Sequence, residues 1–242
     1  MPQTDSKSTI NHALKSTLKE IWGFEALRDF QIAPVTTLHE GNDVIALLPT
    51  GGGKSLCFQL PALVRGGLCI VISPLIALME DQTNQLKLLG ARAASLSGDR
   101  NNIDRILNNA RVGALDFLYL SPERLKDPLF QAQAHLLDVR TIAIDEAHCI
   151  SQWGHDFRPE FRNISVLKSY YPSAALGAYT ATATNEVLAD IASQLNINSG
   201  CIHTTSMRRN NLEFSVSSWG DTEEEILLLA RDLKGSGLVY VK

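Results

Sequence analysis

Short runs of aliphatic and β-branched residues alternate along the chain with stretches whose apolar positions recur at helical spacing. The clearest predicted strands are residues 43–48, 68–73, 115–120, 141–144 and 175–179. Between the second and third strands, segment 75–89 places its apolar residues near the 3.6-residue period of an amphipathic helix. Nearly unbroken apolar strands separated by helices are typical of an α/β fold. We therefore predict a mostly parallel sheet covered by helices on both faces.

The pattern changes after residue 204, where a polar segment, 204–211, follows the last of these units. Beyond it we predict a strand at 212–216, a helix with an acidic start at 221–233, and a last strand at 238–241. This order resembles the start of a second αβ unit. We therefore expect one domain at residues 1–207 and the truncated beginning of a second at 208–242.

Composition and charge are those of an ordinary soluble protein. The chain has 242 residues, of which 45% are hydrophobic and 20% charged, and its formal net charge is −4. These values predict a real core and exclude a chain that is cationic over its whole surface. Any contact with nucleic acid must therefore come from a local groove.

The four cysteines, Cys57, Cys69, Cys149 and Cys201, contain no C-x-x-C pair. Their spacing predicts reduced thiols and excludes a zinc site made of cysteines alone. The N-terminus has no apolar signal core, and no apolar run approaches the roughly 18 residues of a membrane span. We expect a cytoplasmic protein of bacterial type, associated with the nucleoid and with no membrane partner.

A glycine-rich loop, residues 49–55, follows the first predicted strand and precedes an apolar helix predicted from Leu56. Its backbone is predicted to cradle phosphate oxygens through four residues: Thr50, Gly51, Gly52 and Gly53. Lys54 would reach the β- and γ-phosphates, and the Ser55 hydroxyl would hold Mg²⁺. The loop therefore predicts ATP and Mg²⁺ as ligands. The alternative is a glycine-rich turn with a chance Gly-Lys-Ser, and Leu48 stands where a leading glycine is usual.

An acidic pair follows the predicted strand at 141–144, in the sequence Asp-Glu-Ala-His. We assign Asp145 to the magnesium ion and Glu146 to orienting and deprotonating the attacking water. His148 is predicted to lie near the γ-phosphate. The alternative is a solvated strand end whose aspartate caps a helix.

The order of these motifs, followed by Thr-Ala-Thr-Ala-Thr at 180–184, resembles a superfamily 2 helicase. Segment 149–161, Cys-Ile-Ser-Gln-Trp-Gly-His-Asp-Phe-Arg-Pro-Glu-Phe, is similar to the aromatic-rich loop of RecQ DNA helicases. Segments 50–57, 73–82 and 121–125 match further motifs of that family in the same order, so the resemblance runs from about Gly23 to the end. It implies a first RecA-like, ATP-binding helicase domain at 1–207 and the start of a second RecA-like domain at 208–242. It also implies ATP-dependent 3′–5′ unwinding of DNA in repair and recombination.

The resemblance also implies an adenine-binding segment upstream of the phosphate loop. Gln31 would bind the adenine edge, Phe24 would stack on the ring, and Arg28 would support either. Asp29 and Phe30 stand where the family more often has Pro-Gly, which affects the shape of this segment. For Phe24 and Arg28 the alternative is a polar helix end packed against the sheet.

Contacts with DNA, or coupling to it, are implied for a further set: Trp153, His155, Phe157, Arg158, Thr180, Thr182, Ser73, Ser121 and Arg124. The aromatic rings and the guanidinium of Arg158 suit unstacked bases and phosphates. Helix starts and hydroxyls suit the sugar–phosphate backbone, which predicts binding by DNA structure rather than by sequence. For Thr180 and Thr182 the alternative is plain helix capping before Asn185, and for the aromatics it is burial in the core.

The implied partners are single-stranded and partly duplex DNA, with single-strand-binding protein or other repair proteins as candidates. A helicase motor needs two lobes, because arginines of the second complete the γ-phosphate site. We therefore expect residues 1–242 alone to bind ATP weakly and to hydrolyse it poorly. Two alternatives remain: a module that binds strands without unwinding them, and an RNA-directed superfamily 2 helicase.

Overall fold

The predicted alternation of strands and helices is present in the computed structural model, which describes residues 11–206, 211–216, 222–232 and 235–240. The strands are Val44–Leu47 (β1), Leu68–Ile72 (β2), Ala93–Ser95 (β3), Phe117–Leu120 (β4), Val139–Ile144 (β5), Ala175–Thr180 (β6) and Ile202–Thr204 (β7). The α-helices are His12–Trp22 (α1), Asp29–His39 (α2), Lys54–Arg65 (α3), Ile76–Leu88 (α4), Arg100–Arg111 (α5), Pro128–Gln133 (α6), Val166–Tyr170 (α7), Asn185–Leu195 (α8) and Thr222–Asp232 (α9). Short 3₁₀ helices complete the connections.

The strands form one seven-stranded sheet with the order β3-β4-β2-β5-β6-β1-β7, and its pairings are all parallel within the described residues. Strand β6 therefore lies between β1, which leads into the phosphate loop, and β5, which leads into the acidic pair. Strand β2 lies on the other side of β5. Because parallel strands end at the same edge, the loops after β1, β2, β5 and β6 come together there.

The sheet is buried on both faces. Along β2, Ile70 and Ile72 belong to a hydrophobic cluster that includes residues of α5 and α8. Cys69 and Val71, which point to the opposite face, belong to a second cluster that includes residues of α1, α2 and α3. This two-sided burial confirms the predicted α/β architecture. Three of the cysteines, Cys57, Cys69 and Cys149, are buried in it.

The five predicted strands are confirmed, but two edge strands were missed. Strand β3 has only three residues, Ala-Ala-Ser, and its composition carries little strand preference. Strand β7 is equally short and lies in what the pattern indicated as the end of the first domain. The predicted helix at 75–89 is confirmed as α4, and the helix after the phosphate loop begins at Lys54, two residues before the predicted start.

The chain divides into two compact units, Met1–Met207 and Arg208–Lys242. In the second unit the predicted helix at 221–233 is present as α9. The predicted strand at 212–216 is wrong, since the described residues 211–216 contain no strand, and Phe214 is 87% exposed. Residues 238–240 of the other predicted strand are not a strand either, while Val241 and residues 208–210 lie outside the described residues. A strand needs a neighbour for its N–H and C=O groups, and the described part of this unit has none.

None of the helices in the described ranges combines the length and the apolar character needed to span a membrane. The assignment of 208–242 to a second RecA-like domain stays a prediction.

Candidate active site

The phosphate loop joins β1 to α3 through backbone conformations that favour glycine. Gly51 and Gly53 have φ angles of 69° and 78°, in the left-handed region. At Gly52 a Cβ would lie 2.7 Å from the carbonyl oxygen of Pro49. Helix α3 begins directly after Gly53, which offers no side chain to cap its first turn. The loop is therefore a backbone cradle at a helix N-terminus, the arrangement that binds phosphate groups.

Two of the three predicted adenine-binding residues, Gln31 and Arg28, bond to this cradle. Gln31 is buried, its Nε2 donates to the carbonyl oxygen of Gly52 at 2.8 Å, and its Oε1 accepts from the backbone N–H of Arg28 at 2.9 Å. The guanidinium of Arg28 donates to the carbonyl oxygen of Gly51 at 3.2 Å. Both ends of the Gln31 amide thus bond to protein here, and its contact with adenine stays a prediction. Phe24 is 52% exposed, so its ring is accessible for stacking.

The acidic pair lies at the end of β5 and meets the phosphate loop directly. Lys54 Nζ lies 2.7 Å from Glu146 Oε1, and His148 Nδ1 lies 3.4 Å from Glu146 Oε2. Glu146 adopts a left-handed conformation with φ 50° and ψ 48°, which is costly for a residue with a side chain. This backbone turn aims its carboxylate at Lys54 and His148, so the structure brings these three predicted residues together.

The two carboxyl groups have opposite pKa shifts. Burial alone would raise the pKa of Glu146, but hydrogen bonds from His148 and Lys54 and the charge of Lys54 outweigh it and lower the pKa to about 2. The pKa of Asp145 is raised, first by burial and then by the negative charge of Glu146. Glu146 is therefore an ionised acceptor, whereas Asp145 is a buried carboxyl that a nearby cation would stabilise in its charged form.

Asp145 is held at both oxygens. Its Oδ1 accepts from the backbone N–H of Glu146 at 3.0 Å, and its Oδ2 accepts from Gln82 Nε2 at 3.4 Å. The carboxylate of Asp145 and the hydroxyl of Ser55, in the first turn of α3, are oxygen ligands of the kind that Mg²⁺ prefers. The residues therefore fit the predicted magnesium ion.

Gln82 was missed by the reasoning from sequence, although a signal was present. It stands on the buried side of α4, three residues after Met79 and four before Leu86. A polar residue on the apolar side of an amphipathic helix requires a hydrogen-bonding partner, since burying it unpaired is costly.

The end of β6 contributes Thr180, which is fully buried between the two other strand ends. Its hydroxyl lies 2.9 Å from His148 Nδ1 and accepts from the backbone N–H of Thr182 at 3.2 Å. His148 is thus in contact with both Glu146 and Thr180, and Thr180 bonds to the loop at 181–184. The structure brings Thr180 to the predicted site, and Thr182 joins it through its backbone.

The aromatic loop adjoins this group. The ring of His155 stacks on that of His148 with centroids 4.5 Å apart and planes 17° apart. Trp153 is 69% exposed, while the ring of Phe157 is half-buried under the guanidinium of Arg162. An open cavity of about 450 Å³ separates the loop from residues 181–184, and Trp153 and His155 line it. The loop therefore presents an accessible indole while remaining in contact with the acidic pair.

Four predicted residues remain, and they lie after β2 and β4 or contact those segments. Ser121 directly follows β4 and precedes the 3₁₀ helix Pro122–Lys126, without a hydrogen bond from its side chain to that helix. Arg158 donates to the carbonyl oxygen of Pro74 at 3.0 Å, directly before α4. Arg124 pairs with Asp127 at 3.1 Å. Ser73 is only 1% exposed, so its hydroxyl does not face the surface in this conformation, and its predicted contact with a DNA backbone stays a prediction, as does that of Arg124.

The sequence model of the DEAD/DEAH box helicase family matches residues 28–191. The chain is 40% identical to the probable ATP-dependent DNA helicase RecS of Bacillus subtilis, over 94% of this chain and 47% of that protein. It is 40% identical to the ATP-dependent DNA helicase RecQ of the same organism, over 95% and 40% respectively, and 36% identical to mouse ATP-dependent DNA helicase Q1, over 94% and 37%. These matches confirm the resemblance to RecQ helicases, and the chain spans less than half the length of each.

Solved structures share the fold at much lower identity. The Hef helicase domain of Pyrococcus furiosus superimposes with a TM-score of 0.59 at 20% identity, covering 76% of this chain and 39% of that chain. A hypothetical ATP-dependent RNA helicase from Sulfolobus tokodaii gives 0.60 at 18% identity, covering 81% and 57%. At such identities the likeness supports the fold alone, and it confirms the predicted RecA-like architecture.

Proposed function

The chain belongs to the DEAD/DEAH box helicase family, and we propose that it is the ATP-binding half of an ATP-dependent 3′–5′ DNA helicase of the RecQ type. One observation carries the proposal. The phosphate loop, the acidic pair and the aromatic loop form a continuous series of contacts, from Lys54 through Glu146 and His148 to His155. A nucleotide site and an exposed stacking surface are thus joined by packed side chains, as a DNA-stimulated ATPase requires.

At the nucleotide end, the proposal requires Lys54 to exchange partners. Its ammonium leaves Glu146 and binds the β- and γ-phosphates of ATP, in the cradle of residues 50–53. Because Lys54 is one of the groups that lower the pKa of Glu146, its departure raises that pKa and makes the carboxylate a better base. Substrate binding would therefore prepare the base for the reaction.

The reaction itself is a phosphoryl transfer to water. Glu146 accepts a proton from the water while the water oxygen bonds to the γ-phosphorus and the bond to the bridging oxygen breaks, releasing ADP. Mg²⁺, held by Ser55 and Asp145, would neutralise negative charge on the phosphate oxygens. His148, with one side against Glu146 and the other against His155, fixes the direction of the carboxylate.

At the DNA end, Trp153 provides an exposed indole on which a base can stack. The next residue, Gly154, packs closely against His148: a Cβ added to Gly154 would lie 2.5 Å from the carbonyl oxygen of His148. The loop is therefore packed closely enough on His148 that its displacement moves this residue. We infer that strand binding changes the geometry around Glu146 by this route.

A pair of variants tests the proposal through binding alone. Lys54→Ala should weaken Mg-ATP binding about tenfold or more, since a charged hydrogen bond contributes roughly 1.5–3 kcal/mol, and should leave single-stranded DNA binding within about twofold. Trp153→Ala should do the reverse, because stacking contributes roughly 1–3 kcal/mol per base. Fluorescence anisotropy of a labelled oligonucleotide and titration with a fluorescent ATP analogue measure the two affinities.

Val112→Ala is the matched control for Trp153→Ala, since Val112 is also an exposed apolar side chain, at the end of α5. It should change neither affinity. An RNA strand of the same sequence should bind more weakly than the DNA. RNA binding that is equal or tighter would favour an RNA-directed helicase, and DNA binding that is unchanged by Trp153→Ala would contradict the assignment of the loop.

A further inference from the structure

Helix α4 reaches Asp145, the proposed magnesium ligand, through the side chain of Gln82. Its Nε2 donates to Asp145 Oδ2 at 3.4 Å, while the other oxygen of Asp145 accepts from the backbone N–H of Glu146. Both Gln82 and Asp145 are buried, at 8% and 3% exposure. The contact is therefore shielded from solvent, where a hydrogen bond to a charged acceptor is strongest.

The other end of the Gln82 amide is unpaired. Within the described part of the chain its Oε1 is buried without a hydrogen-bond partner, and so is the hydroxyl oxygen of Ser73. Ile72 and Ile144 form the last residue pair between β2 and β5. Ser73 and Asp145 come directly after them, so the two residues stand at the ends of adjacent strands. A buried acceptor left unpaired costs roughly 1–3 kcal/mol, which calls for a ligand or water that satisfies it.

Hydrated magnesium supplies such a partner. Mg²⁺ keeps several of its water molecules when it binds protein carboxylates, and the hydrogens of those waters require acceptors. Oxygen atoms arranged behind a ligating carboxylate orient both the carboxylate and the waters. The unpaired oxygens of Gln82 and Ser73, next to Asp145, have this chemistry.

We propose that Gln82 is a positioning residue for the magnesium site: its Nε2 orients Asp145, and its Oε1 accepts a hydrogen bond from a metal-bound water. This inference rests on the proposed function, because it requires Mg-ATP at the phosphate loop. It assigns to α4 a role in metal binding that is additional to packing against the sheet.

Gln59 offers a matched comparison within the same domain. It is also a buried helical glutamine, 7% exposed, on α3, and its Nε2 donates to the hydroxyl of Tyr119 at 3.0 Å. Its partner is a neutral group inside the core. Gln59→Leu should therefore cost stability without affecting the metal, whereas Gln82→Leu should affect both.

The test is a Mg²⁺ titration of ATP-analogue binding to the whole 242-residue chain, followed by fluorescence, with parallel measurements in chelator. In Gln82→Leu the Mg²⁺ concentration at half-saturation should rise about tenfold, the usual scale for loss of a partner behind a metal ligand. Affinity for the analogue in chelator should stay within about twofold of wild type. Gln59→Leu should leave both values within about twofold, and thermal melting should show that both variants fold.

If Gln82→Leu does not fold, Gln82→Met, which keeps the length of the side chain, should give the same shift. An unshifted Mg²⁺ half-saturation in the folded variant would overturn the inference, and so would an equal shift in Gln59→Leu. A wild-type chain that binds the analogue without any dependence on Mg²⁺ would also overturn it. A wild-type chain that binds no nucleotide would overturn the proposed function as well, which separates the two failures.

Discussion

At the scale of single residues, the central feature is that Lys54 and Glu146 neutralise each other across 2.7 Å. This ion pair must separate before catalysis, because Lys54 is needed at the phosphates and Glu146 at the water. The pair keeps two opposite charges satisfied in a half-buried site, where an unpaired charge would be costly. Substrate phosphates, which carry more negative charge than one carboxylate, can displace Glu146 from Lys54.

Acid unfolding reports on this pair. The pKa of Glu146 is lowered to about 2 from an ordinary value of 4.5, so its ionised form stabilises the fold above about pH 4.5, and that contribution is lost as pH falls towards 2. Glu146→Gln should therefore reduce the free energy of unfolding by on the order of 1–2 kcal/mol at pH 7, after allowance for solvent screening, and by much less at pH 2–3.

Urea unfolding at several pH values measures the difference between the two proteins. The exposed Glu20, changed to Gln, is the control and should give a small difference at every pH. A Glu146→Gln difference that stays constant from pH 7 to pH 2.5 would show that the ion pair does not stabilise the fold.

Gly53 tests the cradle. Gly53→Ala places a Cβ 2.7 Å from Gln31 Nε2 in a backbone with φ 78°, so it should lose stability and disturb the loop. Gly113→Ala is a matched control, because Gly113 has a similar φ of 74° but no atom within 4 Å of the added Cβ. Both should cost about 1–2 kcal/mol for the left-handed conformation, and only Gly53→Ala should weaken ATP binding strongly. Equal ATP affinities in the two variants would contradict the cradle.

At the scale of elements, strand order explains which predictions the sequence supported. The phosphate loop and Asp145-Glu146 were predictable because each follows an apolar strand with a motif of its own. Thr180 came to the site because β6 lies between β1 and β5, an order that local patterns do not contain. The burial of Gln82 could be inferred from its helical position, but its partner could not, since that partner lies 63 positions away on another element. The strand predicted at 212–216 failed because pairing, not propensity, decides whether an apolar run becomes a strand.

Helix α4 is tied to the site at two points, through Arg158 at its start and Gln82 in its middle. If this helix helps to couple strand binding to the nucleotide site, Arg158→Ala should reduce the factor by which Mg-ATP analogue changes DNA affinity. Linkage requires that DNA changes nucleotide affinity by the same factor, so both titrations should agree. Arg105→Ala, on the exposed side of α5, is the control and should leave the factor unchanged. An unaltered factor in Arg158→Ala would exclude this contact from the coupling.

At the scale of the whole molecule, the two hydrophobic clusters that the described residues form lie in the first unit, and their last buried member is Ile197. The second unit exposes several large apolar side chains on α9 and beyond: Leu227, Leu228, Leu229, Leu238, Val239 and Tyr240. The relatives are more than twice as long as this chain. We therefore propose a two-lobed motor only for a protein of that length, in which residues 1–242 supply one half of the nucleotide site.

This distribution of the core predicts that residues 1–207 fold on their own. A protein ending at Met207 should keep the melting temperature of the 242-residue chain within about 3 °C, roughly the shift that 1 kcal/mol produces in a domain of this size. It should also keep Mg-ATP affinity within about twofold. Loss of cooperative unfolding would show that residues beyond 207 complete the core.

The most direct test of the account is calorimetric titration of the chain with ATP, with and without Mg²⁺, in wild type and Lys54→Ala. The account predicts saturable binding at one site in the wild type, weakened about tenfold or more by Lys54→Ala and also by chelation of Mg²⁺. The account would be contradicted if the wild-type chain did not bind ATP. It would also be contradicted if wild type and Lys54→Ala bound ATP equally well, with and without Mg²⁺.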